Sequence, residues 1–470
     1  MNAIRSELAV ARGLQSVMRG KVVWRGNQAY AVIRQIWNGA VQHLPALFAV
    51  CETPADVQAA VRSARAHGLP LSVRGGGHDW AGRALCHNGV VIDLSQMRRV
   101  DVDSKASVAT IQGGTKAEDL ISAAAPHGLV AATGNCGTVG MVGLTLGGGY
   151  GPLTPRSGLA LDNLLGAELV LADGRLINCD THENPDLFWA LRGGGGNFGV
   201  VTSMRVRLHP VREMLAGMIL FPWSEADSIF SGYTSVVAQA PNELGGLSGV
   251  VTGPDGGPMV FLAPMWSGER NQGEAVIAEL RRLGTPAFEQ LGPMAYGDLI
   301  NMFAAHSVSG RHYAIQTRSL RELSAEIVRS LIAAGETKTS PYSAIILHHF
   351  RGAATRVPVK ETSFGLREEH FMVEIIAAWE PSSDDDDLIH QQWARTVSEN
   401  LALHALPGGY PNMLGPEEHE QNARAYGSNT ARLQELKLIF DPEEIFTSAI
   451  SIPVQKAAYG ATIPSLSMWV

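Results

Sequence analysis

Glycine constrains this chain more than any other residue. Of its 470 residues 51 are glycine, about 11% against a usual value of roughly 7%. The excess falls into three clusters: Arg74-Gly75-Gly76-Gly77-His78, Gly134-Asn135-Cys136 through Gly151, and Gly193 to Gly199. The clusters are not periodic, which excludes collagen-like and low-complexity architectures. Main chain without Cβ can lie close against a partner, and successive bare N–H groups form an anion-binding concavity. One such cluster reads as a tight turn between buried strands. Three in the first half of one chain point to a bound anionic group.

The last cluster holds a formal G-x-G-x-x-G at Gly194, Gly196 and Gly199. That motif marks a dinucleotide site only between a strand and a helix. Here it runs into Val200-Val201-Thr202, which is β-branched and extended, so the Rossmann reading fails. No G-x-x-x-x-G-K-[ST] occurs, and a P-loop nucleotidase fails with it.

Composition narrows the class further. The chain is 45% hydrophobic and 17% charged, with 37 Lys and Arg against 45 Asp and Glu, a net charge of −8. A folded core is expected and a nucleic-acid partner is not. No stretch approaches the roughly 18–20 apolar residues that cross a bilayer, so no membrane partner is expected. The first fifteen residues lack a hydrophobic signal core, which gives a cytoplasmic expectation. Four cysteines (Cys51, Cys86, Cys136, Cys179) contain no C-x-x-C pair, and no metal site is expected.

Strands and helices alternate in the first third. Thr53 and Pro54 open a helix that Gly68 ends, with strands expected over 69–73, 90–94 and 108–112. Thr115 with Glu118 reads as a capping box for a helix to about residue 125. Asp173-Gly174 joins two strand-like runs as a hairpin, and 200–208 alternates as a strand. From about Glu213 the glycine clusters stop. Helices are expected over 272–283, 320–334 and 429–440, and strands over 344–350 and 371–378. The acidic run at 384–387 reads as a solvated loop or helix start. Two α+β domains result.

Two reactive side chains sit within the clusters, His78 and Cys136. Little neighbouring bulk shields either, and a thiolate is the strongest nucleophile a side chain offers. Residue by residue, the reading ends at an anionic cofactor with a covalent tether.

The run Val73-Arg74-Gly75-Gly76-Gly77-His78-Asp79-Trp80-Ala81-Gly82 resembles the flavin-attachment loop of the berberine-bridge-enzyme-like oxidases, members of the vanillyl-alcohol-oxidase or PCMH-type FAD-binding superfamily. Gly134-Asn135-Cys136-Gly137-Thr138-Val139-Gly140 with Leu146-Gly147-Gly148-Gly149-Tyr150-Gly151 is similar to that family's second attachment segment. Asp186 to Val201 resembles its third signature. Gly409-Tyr410-Pro411-Asn412 and the stretch from Tyr426-Gly427 to Asp441-Pro442 resemble its carboxy-terminal segment.

The resemblance implies an α+β fold: a two-subdomain PCMH-type FAD-binding domain, residues 1–212 with a return segment 405–455, and a substrate domain, 213–404, whose antiparallel sheet is covered by helices. Residues 456–470 would be a tail. It implies FAD bonded to His78 through the flavin 8α carbon and to Cys136 through C6, although Gly137 stands where the family commonly has proline. Further FAD contacts are expected from Val73, Arg74, Gly75, Gly76, Gly77 and Gly82; from Thr133, Gly134, Gly137, Thr138, Val139, Gly140, Gly143, Gly149 and Tyr150; and from Asn197, Gly199, Val200 and Asn412.

Implied activity is oxidation of an alcohol, sugar, amine or secondary-metabolite intermediate, a small molecule, by hydride transfer to flavin. Val139 stands where valine accompanies oxidases, so O2 is the expected acceptor and hydrogen peroxide the product. A dehydrogenase with another acceptor is the alternative, and a carrier that keeps the fold without turnover is a third. Tyr410 is the first candidate for the catalytic base and Glu374, an acid in mid-strand among apolar neighbours, the second. His348 and His349 point to opposite faces of their strand, so one at most meets the flavin. His312 and Tyr313 are further candidates.

Overall fold

The computed structural model describes residues 2–211, 213–304, 307–381, 387–448 and 450–453. The expected tail, the last two residues of the expected return segment and residues 384–386 of the acidic run lie outside them. Asp387 opens the helix Asp387–Ala402.

Three sheets organise the chain. The first contains Lys21–Trp24, Leu47–Val50, Val90–Asp93 and Leu71–Arg74 in that spatial order; the last three strands are parallel and the first is antiparallel to its neighbour. The helix Pro54–Ala66 crosses between two of them. Thr53 Oγ1 accepts from Asp56 N, completing a capping box, a device worth about 1 kcal/mol. Its buried stripe, Val57, Ala60, Val61 and Ala64, joins Val90 and Ile92 of the first sheet to Val170 and Val200 of the second in one core.

The second sheet is built on Val200–Pro210, which pairs antiparallel with Val108–Gln112, Leu164–Val170 and Leu129–Ala131. Its hairpin, Leu164–Val170 to Leu176–Cys179, turns at Asp173-Gly174 as expected. The neighbouring helix starts at Ala117, with Asp119 Oδ2 accepting from Lys116 N at 2.9 Å. That is one residue beyond the expected Thr115–Glu118 box, because an acceptor one position later closes the turn.

The third sheet has seven antiparallel strands, from Phe288–Met294 at one edge to His312–Leu320 at the other. Its first strand in sequence is Met214–Pro222 and its last His370–Trp379. Alternation divides the two faces. Val250, Val260, Leu262, Ile345, Leu347, Val373 and Ile375 pack beneath the helices Ala226–Gln239, Arg270–Arg281, Ala325–Glu336 and Asp387–Ala402. Their neighbours Phe261, Ile346, His348, Met372, Glu374 and Ile376 face a cavity on the other side.

One expected helix begins late. Residue 320 ends the strand His312–Leu320, paired with Phe371, and the helix starts at Ala325 with Ser324 Oγ accepting from Ile327 N. A nine-residue antiparallel register outweighs the local helical period there.

Candidate active site

The cavity, about 450 Å³, lies between the glycine loops and the face of the third sheet opposite those four helices. Gly75, Gly76 and Gly77 reach it directly after the strand Leu71–Arg74; Gly140 and Gly143 come from the second cluster, Gly195, Gly196 and Gly199 from the third. Two loops touch where they wall it: a Cβ on Gly76 would stand 2.3 Å from Gly140 N, and one on Gly140 2.4 Å from Gly76 N. Gly143 and Gly196 differ. Both line the cavity, and a Cβ at either would meet no protein atom within 4 Å. Asn135 also lines the wall, and its buried Oδ1 has no hydrogen-bond partner in the protein. Bare main chain with a lone buried acceptor is the lining that a dinucleotide such as FAD requires.

His78 and Cys136 share one end of this space. His78 Nε2 is 2.7 Å from Thr138 Oγ1, and the same oxygen is 3.3 Å from Cys136 Sγ. Trp37 stacks on the imidazole, ring centroids 5.3 Å apart at 20°, and Tyr313 stacks on Trp37 at 3.8 Å and 16°. Burial, aided by the positive charge of Lys116, brings the His78 pKa down to about 4. The imidazole is therefore neutral near pH 7, and a neutral imidazole keeps a lone pair for bond formation.

At the sheet side, Glu374 lies diagonally across from His348: Ile346 opposes Glu374, and His348 opposes Met372. Their side chains meet at 3.1 Å, Nε2 to Oε2, and both line the cavity. His349, one residue on, turns away to Glu369 and stacks on Phe371. Tyr410 is buried, and its hydroxyl oxygen accepts from Gly149 N at 2.9 Å and from Asn412 Nδ2 at 3.0 Å. Burial raises the phenol's pKa, though these donors counter it. With both lone pairs engaged, the phenol is equipped to donate a proton rather than accept one. Tyr313 spends its hydroxyl on Val308 O. His312 stands off the cavity, edge-on to Trp379.

The structure brings most of the expected residues to this wall: Val73, Gly134, Val139, Tyr150, Val200 and Asn412 join those already placed. Several expected contacts stand behind it instead. Arg74 is paired with buried Asp93 and bonds Ile33 O. Gly82 makes a turn at φ +82 against Val41. Thr133 bonds Tyr296 across the two halves, 2.9 Å, and Gly137 accepts from Glu118 N. Gly149 holds Tyr410, and Asn197 Nδ2 ties Gly194 O to Ile450 O. Thr138 acts on His78 and Cys136. In each case a local polar partner or a turn claims the residue.

Other cavity residues carried no sequence signal. With Tyr313, already a candidate, Trp37 and Ser307 surround the His78–Cys136 end. Asn38 fixes Tyr313 by two bonds: its Nδ2 donates to Tyr313 O and its Oδ1 accepts from Tyr313 N. Phe446, Thr447 and Ser448 close the far end, Ser448 Oγ accepting from Gly196 N at 3.1 Å. An isolated Trp-Asn-Gly outside any periodic element gives no reason to single it out.

Comparison with known proteins places this geometry. Residues 45–180 match the FAD binding domain family, and 409–453 match the family described as berberine and berberine like. The FAD-linked oxidoreductase YvdP of Bacillus subtilis (strain 168) is 30% identical over 454 residues, covering 93% of this chain and 98% of that one. (R)-6-hydroxynicotine oxidase of Paenarthrobacter nicotinovorans is 39% identical over 304 residues, 64% of this chain and 65% of that one. The crystal structure of 6-hydroxy-D-nicotine oxidase from Arthrobacter nicotinovorans superposes with a TM-score of 0.85 at 30% identity, covering 93% and 98%. With a cradle that only bare backbone can form and this similarity along nearly the whole length, the chain belongs to the berberine-bridge-enzyme-like family of PCMH-type FAD-binding proteins and is an FAD-dependent oxidoreductase.

Proposed function

We propose that this protein oxidises a small, largely apolar, ring-bearing amine or alcohol, with FAD held through both His78 and Cys136 and dioxygen as electron acceptor. The observation that carries the substrate class is the wall opposite the glycines. Met218, Phe261, Phe303, Ile315, Ile346, Met372 and Ile376 make it apolar, and the His348–Glu374 pair is its polar centre. A sugar needs many hydrogen-bonding partners, and such a wall leaves most hydroxyls unpaired at a cost of about 1–3 kcal/mol each. An amine or single hydroxyl needs one polar contact, which Glu374 offers. A relative named for oxidising 6-hydroxynicotine, an amine on an aromatic ring, supports the same reading.

When bound, FAD supplies hydride acceptance and then two-electron delivery to dioxygen. The chain's own residues do the rest. Glu374, with His348 beside it, takes the proton from the substrate N–H or O–H. Tyr410, anchored by Gly149 N and Asn412, orients the substrate as a donor. The apolar side chains exclude water, which strengthens both contacts. Val139, at the cavity wall beside Gly140, leaves room for dioxygen.

Oxygen uptake and peroxide formation across a panel of cyclic amines, aromatic alcohols and oligosaccharides test this. Turnover of apolar amines or alcohols with stoichiometric peroxide is expected. Turnover of oligosaccharides alone overturns the substrate class, and slow reoxidation in air overturns the oxidase assignment in favour of the dehydrogenase.

A further inference from the structure

His78 and Cys136 are joined by a single hydroxyl. Thr138 Oγ1 lies 2.7 Å from His78 Nε2 and 3.3 Å from Cys136 Sγ, and Ser307 Oγ reaches the same sulfur at 3.6 Å. We propose that Thr138 is a positioning residue for both flavin attachments: its oxygen accepts Nε2–H of His78, and its own hydrogen is donated to the sulfur of Cys136. The inference rests on the bicovalent reading above.

A hydroxyl has one hydrogen and two lone pairs, so it cannot donate to both neighbours. The neutral imidazole carries one proton. With that proton on Nε2, facing Thr138, the lone pair is on Nδ1, the nitrogen free to attack. Thr138's hydrogen is then available to the sulfur, where a donor stabilises the thiolate. The opposite arrangement, with Thr138 donating to Nε2, places the proton on Nδ1 and blunts both nucleophiles. Trp37, itself stacked on Tyr313, holds the imidazole plane so that the Nε2 contact persists.

The chemistry balances with dioxygen as oxidant. Each attachment replaces one flavin C–H bond by a bond to Nδ1 or Sγ. The C–H hydrogen and the Nε2 or sulfur hydrogen leave as protons, and the electron pair of the C–H bond reduces the flavin. Dioxygen takes up those two electrons and two protons as hydrogen peroxide. Thr138 gives the Nε2 proton its way out.

The test compares Thr138→Val, which removes the hydroxyl at similar shape, with Thr138→Ser, which restores it. Thr138 is exposed, so neither change disturbs a packed core. Purified protein is held with excess FAD in air, acid-precipitated at intervals, and the flavin in pellet and supernatant measured, with peptide mass mapping of each link. Attachment in Thr138→Val is expected to slow about tenfold or more, the equivalent of losing one oriented hydrogen bond. Its flavin still binds but appears in the supernatant, and Thr138→Ser attaches at close to the wild-type rate. Equal attachment in Thr138→Val and wild type overturns the role of Thr138. Wild-type protein that never holds flavin in the pellet overturns instead the bicovalent reading. Should Thr138→Val fail to fold, Thr138→Ala removes the same hydroxyl and is read by the same criterion.

Discussion

Replacing Lys437 by methionine should loosen one end of the FAD cradle without replacing any residue that lines the cavity. Lys437 is 2% exposed and Asp441, one turn on, is fully buried. The ammonium is 2.6 Å from Asp441 Oδ2 and donates to Asn197 O at 2.6 Å and Phe446 O at 2.7 Å. Asp441 in turn accepts from Ile445 N and Phe446 N, 2.9 and 2.8 Å. One cation therefore clamps the third glycine cluster to the returning segment. Lys437→Met leaves a buried carboxylate without a counter-ion, which costs about 3–5 kcal/mol. At about 1.4 kcal/mol per tenfold, local opening becomes roughly 10²- to 10⁴-fold more frequent. Hydrogen exchange at the amides of Ile445 and Phe446 reads this directly, since both bond Asp441. Adding Asp441→Asn removes the orphaned charge and should recover much of the protection. An increase below tenfold in the single variant would refute the reasoning, because it would mean that Asp441 finds compensation without the lysine.

Three further outcomes follow from the same geometry. Glu374→Gln should keep the flavin spectrum and lower the rate of flavin reduction by substrate by about 10²–10⁴-fold, measured by stopped flow; an unchanged rate assigns the proton to another group. Gly143→Leu should fold with normal circular dichroism yet lose flavin, since Gly143 lines the cavity and no protein atom stands within 4 Å of a Cβ there, and a wild-type ratio of flavin to protein absorbance counts against the cradle. Buried His370 donates from Nδ1 to Glu368 O and accepts from the Tyr150 hydroxyl at Nε2, 3.0 Å, and burial lowers its pKa to about 4. The unfolded chain binds this proton below about pH 6.5 and the folded one does not until about pH 4. Stability should therefore fall by about 1.4 kcal/mol per unit as the pH drops through that window. His370→Phe should flatten the slope of stability against pH there, and an identical slope in variant and wild type would show that His370 does not titrate in this way.

How far the chain could be read beforehand depended on whether a residue's role is local. The helix Pro54–Ala66 and the hairpin at Asp173-Gly174 were legible because cap, period and turn lie within a few residues. Residue 320 was misread because its strand partner, Phe371, lies some fifty positions away. Arg74 sits inside the most specific motif, yet its guanidinium turns to Asp93, a neighbour created by parallel strand pairing.

Sequence alone determined that backbone without side chains would hold an anionic group, and which imidazole and which thiol would stand beside it, since glycine and reactive side chains keep those properties in any fold. Tertiary structure decided the rest. It set Trp37 and Tyr313 against His78, placed Thr138 between nitrogen and sulfur, turned Glu374 and His348 into one pair and gave Tyr410 two donors. Most of these are contacts between segments tens to hundreds of residues apart, and their geometry exists only once the sheets and loops have packed.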